Sequence, residues 1–522
     1  MSHLKQLDYR NYTLAIISGA MLTAAFPRTG FDFIAWFSFV PLLLAINSTR
    51  SVFKTGCLAG FVHHLTLVYW LVKALNEYGH LPIITCIPLL VLLCLYLSLY
   101  MGLFCVLVKH LCKKPWQLIC APFFWVALEY ARTLTQFAFP WELLGYSQYL
   151  KLPLIQIADI TGVYGISWLI ILFNVAILCF LLNTSKQKWQ ESEISIRLVY
   201  AFLGCVILFF VLFLTYGLSR MYTIDQHIGN DAKQMKVAVV QGNIDQAVKW
   251  DDSFRKSTVD KYIQTSMSET NYDADLIVWP ETAVPIYIQQ ETKLSQLLKN
   301  YIDNQLSAFL IGGLRYEKTV MGDWQFYNSA YLLYPGHFGQ QYYDKAHLVP
   351  YGEYVPFQTV FPFLNKIVQG AGDFTEGQSV APLKWNQWAI GPQICYEILF
   401  PSISRTLVQK GADIIVNITN DAWYGRSCAP YQHFSMVVFR AVENKRSLAR
   451  AANTGISGCI NPFGKIVSRS ELFTKSNINC VLPVLDEITV YCQYGDIFAI
   501  FCCIVLIVAL LLPFRKYFKK NQ

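Results

Sequence analysis

This sequence predicts a membrane bundle of about eight helical spans joined to an extracytoplasmic α/β domain, a sandwich of two sheets between helix layers. Three observations point there. The chain of 522 residues is 54% hydrophobic and only 15% charged, with a mean hydropathy of +0.35, too apolar for an ordinary soluble protein. Its apolar residues concentrate in Met1–Gly217 and again in Ile497–Phe514, whereas the middle has the mixed composition of a globular domain. That middle stretch alternates strand-like and helix-like segments, which implies a sheet covered on both faces.

Seven apolar segments precede the central domain: Tyr12–Phe26, Phe31–Ile46, Gly56–Val72, Leu81–Val108, Leu118–Thr135, Leu154–Leu182 and Leu198–Leu218. An eighth spans Asp496–Phe514. Several approach the ~20 residues that a bilayer requires. The first two are short, as a tilted or re-entrant pair would be. Basic residues then set the orientation. Lys5 and Arg10, Arg50 and Lys54, Lys109, Lys113 and Lys114, then Lys186, Lys188 and Arg197 fall on alternate loops, and Arg515, Lys516, Lys519 and Lys520 close the series. The opposite loops offer Arg28, Lys73 and Lys151. By the positive-inside rule both termini are cytoplasmic and the central domain is outside. The first segment serves as an uncleaved anchor, without a clear cleavage site. The expected divisions are 1–218 for the bundle, 219–490 for the outer domain and 491–522 for the last span and its basic tail.

The formal charge of +8 does not indicate a nucleic-acid partner. Ser219–Val490 holds 24 Lys and Arg against 25 Asp and Glu, so the outer domain is near neutral. The excess lies on cytoplasmic loops, where orientation and anionic lipid account for it. The 15 cysteines show no CxxC pair, no disulfide framework and no Cys/His cluster with zinc spacing. Adjacent His63 and His64 point ~100° apart on a helix and make a poor metal pair. Neither a metal nor a cofactor is expected.

Within the bundle, Glu129 and Arg132 stand at i,i+3 in FFWVALEYARTL and are positioned to pair on one helix face. Charges inside an apolar segment face the protein interior or a polar cavity, so a structural ion pair and a lipid-headgroup site remain equally open. In FAFPWELLGYSQ, Pro140 and Trp141 mark a break at the outer interface, and TGVYGISWLI opens the sixth segment with small residues that permit close helix approach.

The central domain starts after Arg220. MKVAVVQGNI, DLIVWPE, SAFLIGGLRY, WQFYNSAYLLYP, AIGPQICYE and ADIIVNITND are its strands, followed by short strands through Cys480. Helices are expected around Asp252–Met267, Thr292–Gln305, between Cys395 and Gln409, and over Tyr431–Leu448, where Arg440, Glu443 and Arg446 form structural pairs around a packed His433. The organising stretch is Gln393-Ile394-Cys395-Tyr396-Glu397. A cysteine between a strand and a helix N-terminus sits where backbone N–H groups and the helix dipole favour a thiolate. By itself such a cysteine is more often a small buried hydrophobe. Glu281 in IVWPETAVP and Lys345 in YYDKAHLVPYGEYVP change that assessment. Glu281, in an apolar strand end, suits a general base with a raised pKa. Lys345 and the backbone N–H of Tyr396 suit stabilisation of an oxyanion.

Taken together, WPET, DKAHLVPYGEYVP and ICYE resemble the Glu–Lys–Cys pattern of the carbon–nitrogen hydrolase (nitrilase-like) superfamily. FPRTGFDFIAWFSFVPLL, FPWELLGYSQ and YGISW, in a chain with eight apolar segments, further resemble the apolipoprotein N-acyltransferase family. The resemblance implies a triad of Glu281, Lys345 and Cys395, supported by Trp250, Asn328, Glu353, Tyr396 and Glu397. It also implies a bacterial inner membrane, with the central domain in the periplasm, and a two-step transfer. Cys395 takes an acyl chain from a membrane glycerophospholipid, expected to be phosphatidylethanolamine, and passes it to the α-amine of a diacylglyceryl-cysteine apolipoprotein.

Three stretches suit lids at a lipid interface: PFQTVFPFLNKIVQGAGDF with Phe357, Phe361 and Phe363, the WYGRS loop, and AVPIYI. The alternative for the phenylalanines is core packing. Two rival functions stay open at this level. A membrane-tethered amidase would keep the triad but have no use for the bundle motifs, and a lipid-binding or transport protein would have no use for the triad.

Overall fold

The computed structural model describes residues 2–134, 138–230, 232–245, 252–267, 273–350, 352–354 and 374–520, with 2–8, 230, 252 and 513–520 described by backbone alone. Trp250 and the phenylalanine-rich stretch around Phe357, Phe361 and Phe363 lie outside the described residues. The chain divides into two compact units. One comprises Met1–Leu71, Ile84–Met221 and Asp496–Gln522, the other Val72–Ile83 and Tyr222–Gly495.

The first unit is helical. Its main helices are Ser2–Ala24, Val40–Ser48, Val52–Leu67, Ile83–Leu111, Ala121–Ala131, Tyr164–Thr184, Ile196–Asn230 and Ile497–Lys520. Among the described residues, three helices are long and apolar enough to cross a membrane: Ile83–Leu111, Tyr164–Thr184 and Ile196–Gly229. The number rises to four if Val52–Leu67 and Leu71–Tyr78 count as one broken span. The eight expected segments are thus not eight straight spans. Phe31–Ile46 is split into a 3-10 turn, Asp32–Trp36, and a nine-residue helix. Only eleven residues of the fifth segment, Ala121–Ala131, are α-helical. The sixth begins with two short turns, broken at Gly162 (φ +62°) before Tyr164. Hydropathy counts apolar residues along the chain and does not register where the backbone turns.

Among the described residues, the second unit has thirteen strands. In chain order these are β1 (Gln234–Gln241), β2 (Leu276–Val278), β3 (Val284–Tyr287), β4 (Ala308–Lys318), β5 (Trp324–Tyr334), β6 (His337–Asp344), β7 (Leu383–Trp385), β8 (Trp388–Ile394), β9 (Ile414–Thr419), β10 (Ser447–Ala452), β11 (Gly458–Ile460), β12 (Ile466–Arg469) and β13 (Ser476–Pro483). One sheet runs β13-β1-β2-β4-β5-β6, with β3 also paired to β4; the other runs β12-β11-β10-β9-β8-β7. The central pairings β1–β2, β2–β4, β8–β9 and β9–β10 are parallel.

The period-two alternation of strand side chains divides two cores. Met235, Val237 and Val239 of β1, Leu276 and Val278 of β2 and Leu310 of β4 pack against Ile390, Ile394, Ile414, Val416 and Ile418 of the second sheet. Their neighbours Ala238, Val240, Ile277, Phe309 and Ile311 turn the other way, onto Val259 and Tyr262 of helix Asp252–Ser266 and Leu298 and Ile302 of helix Lys293–Asp303. Helices Pro401–Gln409 and Ala429–Asn444 belong to the second sheet's side, where Ile403, Leu407 and Ala412 cluster. Both faces of the central strands are therefore buried, which is why they read as unbroken apolar runs. The result is the expected αββα sandwich.

Several local expectations need correction. The helix anticipated over Tyr431–Leu448 ends at Asn444, with Lys445 in the left-handed region, and Ser447 already starts β10. Arg440 pairs with Glu443 at 3.0 Å, whereas Arg446 donates to the carbonyls of Ala412, Lys445 and Glu487. AVPIYI, expected as a lid, contains the short strand β3, paired to β4. A disulfide joins Cys459 of β11 to Cys480 of β13, one residue from each sheet, although no Cys pattern announced it.

In the helical unit, Glu129 and Arg132 turn to different partners. Glu129 Oε1 accepts from the N–H of Leu144 at 2.7 Å, inside the FPWELLGYSQ stretch. Arg132 Nη1 lies 3.3 Å from His64 Nε2. His64 Nδ1 is 2.7 Å from the carbonyl of Gly60, so Nδ1 carries the proton and Nε2 is the acceptor. Trp141, Tyr146 and Gln148 are buried within the unit. This stretch folds into the bundle instead of simply marking an interface.

Candidate active site

Parallel strands direct their C-terminal ends to one edge of each sheet, and open α/β sheets carry their sites there. Glu281 follows β2 and Cys395 follows β8. Lys345 follows β6, whose antiparallel pairing with β5 brings Asn328 beside it. Gly312 of β4 makes room for the Glu281 turn: a Cβ there would sit 2.5 Å from Thr282 N and 2.6 Å from Glu281 Cα.

Four of the predicted side chains form one hydrogen-bonded group. Asn328 Nδ2 donates to Glu281 Oε1 at 2.8 Å and to Glu353 Oε1 at 2.9 Å. Lys345 Nζ donates to the same Glu353 oxygen at 2.8 Å and lies 3.7 Å from Glu281 Oε1. Glu353 Oε2 accepts from Val349 N, and Lys345 N–H is bound to the carbonyl of Asn328. Lys345 is only 1% exposed. Burial opposes its charge, but Glu353, Glu281 and Cys395 outweigh that cost and raise its pKa, so it remains a cation.

Glu397 ties this group to the segment that carries Cys395. Its Oε1 accepts from Tyr343 OH, Ala346 N and His347 N, and its Oε2 from Ile394 N. One carboxyl thereby pins the backbone just after Lys345 to the backbone just before Cys395. Burial pushes the Glu397 carboxyl up to about 7, against the pull of those donors. Tyr396 is buried beside the cysteine and packs on Phe400.

Cys395 itself is 7% exposed and holds φ at +53°, in the left-handed region. It opens a 3-10 turn, Cys395–Leu399, and the α-helix begins only at Pro401. The thiolate-favouring helix terminus is thus not formed at the cysteine. Burial and Glu281 raise the thiol pKa well above its ordinary value, with Lys345 and Thr419 opposing them. At neutral pH Cys395 therefore rests as a thiol, and any reaction at its sulfur needs a base to take the proton.

Sequence comparisons find matches in both units. Residues 18–176 match the description "Apolipoprotein N-acyltransferase N-terminal domain", and residues 236–482 match "Carbon-nitrogen hydrolase". The chain is 40% identical over 523 residues to the apolipoprotein N-acyltransferase of Geobacter metallireducens, covering 99% of this chain and 98% of that one. It belongs to the apolipoprotein N-acyltransferase family. The counterpart in Rickettsia typhi is 32% identical, covering 95% of this chain and 96% of the other. Among solved structures, a carbon-nitrogen hydrolase from Helicobacter pylori G27 overlays at TM-score 0.36 and 15% identity, covering 48% of this chain and 89% of that one.

As a member of this acyltransferase family the protein is an enzyme, and its site holds residues that sequence reading passed over. The N–H of Asn420 donates to Glu281 Oε2 at 2.9 Å. Asn417 Nδ2 donates to the carbonyls of Gln393 and, at 3.4 Å, Cys395. His433, expected to be a packing residue, has Nδ1 3.1 Å from Asp421 Oδ1. For Asn417, Asn420 and Asp421 the signal was present in ADIIVNITND, where polar residues interrupt and then end an otherwise apolar strand. Among the described residues, no group of His, Cys, Asp or Glu side chains is arranged to hold a metal ion.

Proposed function

We propose that this enzyme N-acylates lipoproteins through a thioester on Cys395, with a membrane glycerophospholipid as acyl donor. The observation that carries the reading is the convergence of Cys395, Glu281 and Lys345 in one buried group, within a chain whose family is named for that reaction. Glu281 takes the thiol proton as sulfur attacks the sn-1 ester carbonyl. The tetrahedral oxyanion is stabilised by Lys345 and the N–H of Tyr396. Collapse expels the lysophospholipid alkoxide, which receives the proton from Glu281. The α-amine of a diacylglyceryl-cysteine lipoprotein then attacks the thioester, Glu281 accepts the amine's proton, and the thiol is restored as the amide forms.

Asn328 and Glu353 keep Lys345 and Glu281 in register, and Glu397 sets the distance from Lys345 to Cys395. Trp250 is assigned to substrate binding by resemblance alone. Phosphatidylethanolamine is the proposed donor because it is a glycerophospholipid available in the bilayer. The orientation with both termini cytoplasmic and 219–490 outside rests on the alternating basic loops. The Cys459–Cys480 disulfide supports it, since such bonds persist in oxidising compartments. Eight crossings remain part of this proposal, the shorter segments being tilted or re-entrant.

The decisive experiment is incubation with phospholipid alone. The protein should gain one acyl mass on Cys395, labile to neutral hydroxylamine, and release lysophospholipid. A diacylglyceryl-cysteine peptide with a free amine should discharge the adduct; its N-acetylated form should not. Rapid discharge by water would indicate an amidase, and absence of any adduct would sink the thioester.

A further inference from the structure

The left-handed backbone of Cys395 is disfavoured for any residue with a Cβ, so its surroundings must hold it there. Two strands away, a buried charge pair is connected to it by an unbroken chain of hydrogen bonds. Arg450 of β10 stands opposite Asn417 of β9 in the parallel register. Its Nη1 donates to Asn417 Oδ1, leaving the Asn417 amide aimed at the carbonyls of Gln393 (3.1 Å) and Cys395 (3.4 Å), on either side of Ile394. The other arm, Nη2, donates to Asp421 Oδ2 at 2.9 Å, and Nε to the carbonyl of Ile456 at 3.3 Å.

Asp421 carries the connection to the base. Its Oδ1 accepts from Thr419 Oγ1 at 3.0 Å, and the Thr419 side chain opposes the upward shift of the Cys395 thiol's pKa. Between those two residues lies Asn420, whose N–H holds Glu281 Oε2. A donor to the base and a side chain that acts on the thiol thus belong to one three-residue segment, and Asp421 is its anchor. The segment has little freedom. Asn417, Thr419 and Arg450 are fully buried and Asp421 is 1% exposed. A Cβ on Gly455 would lie 2.3 Å from Asp421 Oδ2, so only glycine admits the carboxylate there. Burial disfavours the Asp421 charge, yet Arg450 and His433 hold its carboxyl well below the usual range, so the pair is ionised at neutral pH.

We propose that Asp421 and Arg450 are positioning residues for acyl transfer, acting through Thr419, Asn420 and Asn417 to align the Glu281 carboxylate with the Cys395 thiol. Neither reaches the reacting atoms. Stability alone is a weak explanation for the pair, because a buried ion pair is frequently replaceable by apolar side chains without loss of fold. The neutral isostere Asp421→Asn keeps the volume but weakens the grip on Arg450 and Thr419. Misplacement of reacting groups by about 1 Å costs about 10²-fold in rate.

The proposal rests on the thioester reading, and its test separates the two. Asp421→Asn, Arg450→Lys and Thr419→Val are compared with the parent for thermal transition, acylation of Cys395 by phosphatidylethanolamine vesicles, and alkylation of Cys395 by iodoacetamide. In Asp421→Asn the acylation rate at saturating lipid should fall about 10–10²-fold, with the apparent KM unchanged. Alkylation should become faster, because a negative charge that opposes the thiolate has been removed. A purely electrostatic role would raise both rates together. Thr419→Val should slow acylation without altering the charge pair. Arg450→Lys should fall between Asp421→Asn and the parent, since an ammonium cannot serve Asn417 and Asp421 with a fork. Parent-like acylation in folded Asp421→Asn or folded Thr419→Val overturns the proposal. If the parent forms no thioester, the functional reading fails. The proposal is then decided by alkylation of folded Thr419→Val, which leaves both charges in place: a changed rate upholds it and a parent-like rate overturns it.

Discussion

The helical unit and the α/β unit each bury an arginine with a nearby carboxylate, and they treat the two pairs differently. In the helical unit, Glu129 and Arg132 are three residues apart on one helix, yet they turn to Leu144 N and His64. Glu129 Oε2 and Arg132 Nε are left without a hydrogen bond. In the α/β unit, Asp421 and Arg450 are 29 residues apart in sequence and meet at 2.9 Å. Each polar side-chain atom of Asp421, Arg450 and Asn417 has a partner. Spacing along a helix brings two side chains within reach of one another, but rotamers and competing partners decide whether they meet. Parallel strand register leaves less choice, because opposed residues share one face. The fully satisfied pair is linked by hydrogen bonds to the segment of Cys395; the partly satisfied one belongs to the other unit.

The largest effect that would sharpen this contrast is expected at Lys345. Lys345→Met removes the cation from between Glu281 and Glu353. The acylation rate should fall about 10²–10³-fold, and the loss of a buried partner should cost about 3–5 kcal/mol of stability. Arg132→Met, made in parallel, should cost less, about 1.5–3 kcal/mol for a charged hydrogen bond. Thermal transitions in detergent compare the two, and an equal loss would erase the distinction between the units.

Glu397 comes next. Its carboxyl rises from 4.5 to about 7 in the folded protein, which at about 1.36 kcal/mol per unit is worth roughly 3 kcal/mol. Because the folded value is the higher one, this contribution is fully present below about pH 4.5 and is lost as pH rises through about 7. Glu397→Gln should flatten the decline in stability between those limits. It should also be less stable than the parent at pH 5, since an amide cannot accept on both sides. An unchanged slope would refute the assignment.

A smaller and more direct measure is a pair of double-mutant cycles. Asp421→Asn with Arg450→Met should show a coupling of about 2 kcal/mol, and Glu129→Gln with Arg132→Met one below about 0.5 kcal/mol. Comparable couplings would break the comparison. At the bottom of the scale, Cys428→Ala should leave acylation and the thermal transition within error, because Cys428 is a half-buried residue at a helix start. Loss of the acyl adduct in that variant would mean that the wrong cysteine has been chosen.

By itself, the sequence determined the class of each unit, because those signals are local. The short apolar runs in MKVAVVQ and SAFLIGG, and the density of apolar residues before Gly217, need no knowledge of distant contacts. The motifs around Glu281, Lys345 and Cys395 were also legible, each being a short polar interruption in an apolar run. Asn328 and Glu353 could be named from motif resemblance, but not the single Glu353 oxygen that Asn328 and Lys345 share.

Only the tertiary structure decided the rest. The kinks that leave three long apolar helices among the described residues, or four with the broken pair, arise from backbone turns that hydropathy does not register. The Cys459–Cys480 bridge requires two strands from different sheets to approach. The protonated state of Cys395 depends on burial and on Glu281, 114 positions earlier, more than on the helix expected beside it. The network from Arg450 to Glu281 exists because β9 and β10 pair in one particular register. A shift of one residue would turn Arg450 to the opposite face. Hydrophobic pattern and motif are written along the chain; hydrogen-bond partners and proton affinities are set by what folding brings within about 3 Å.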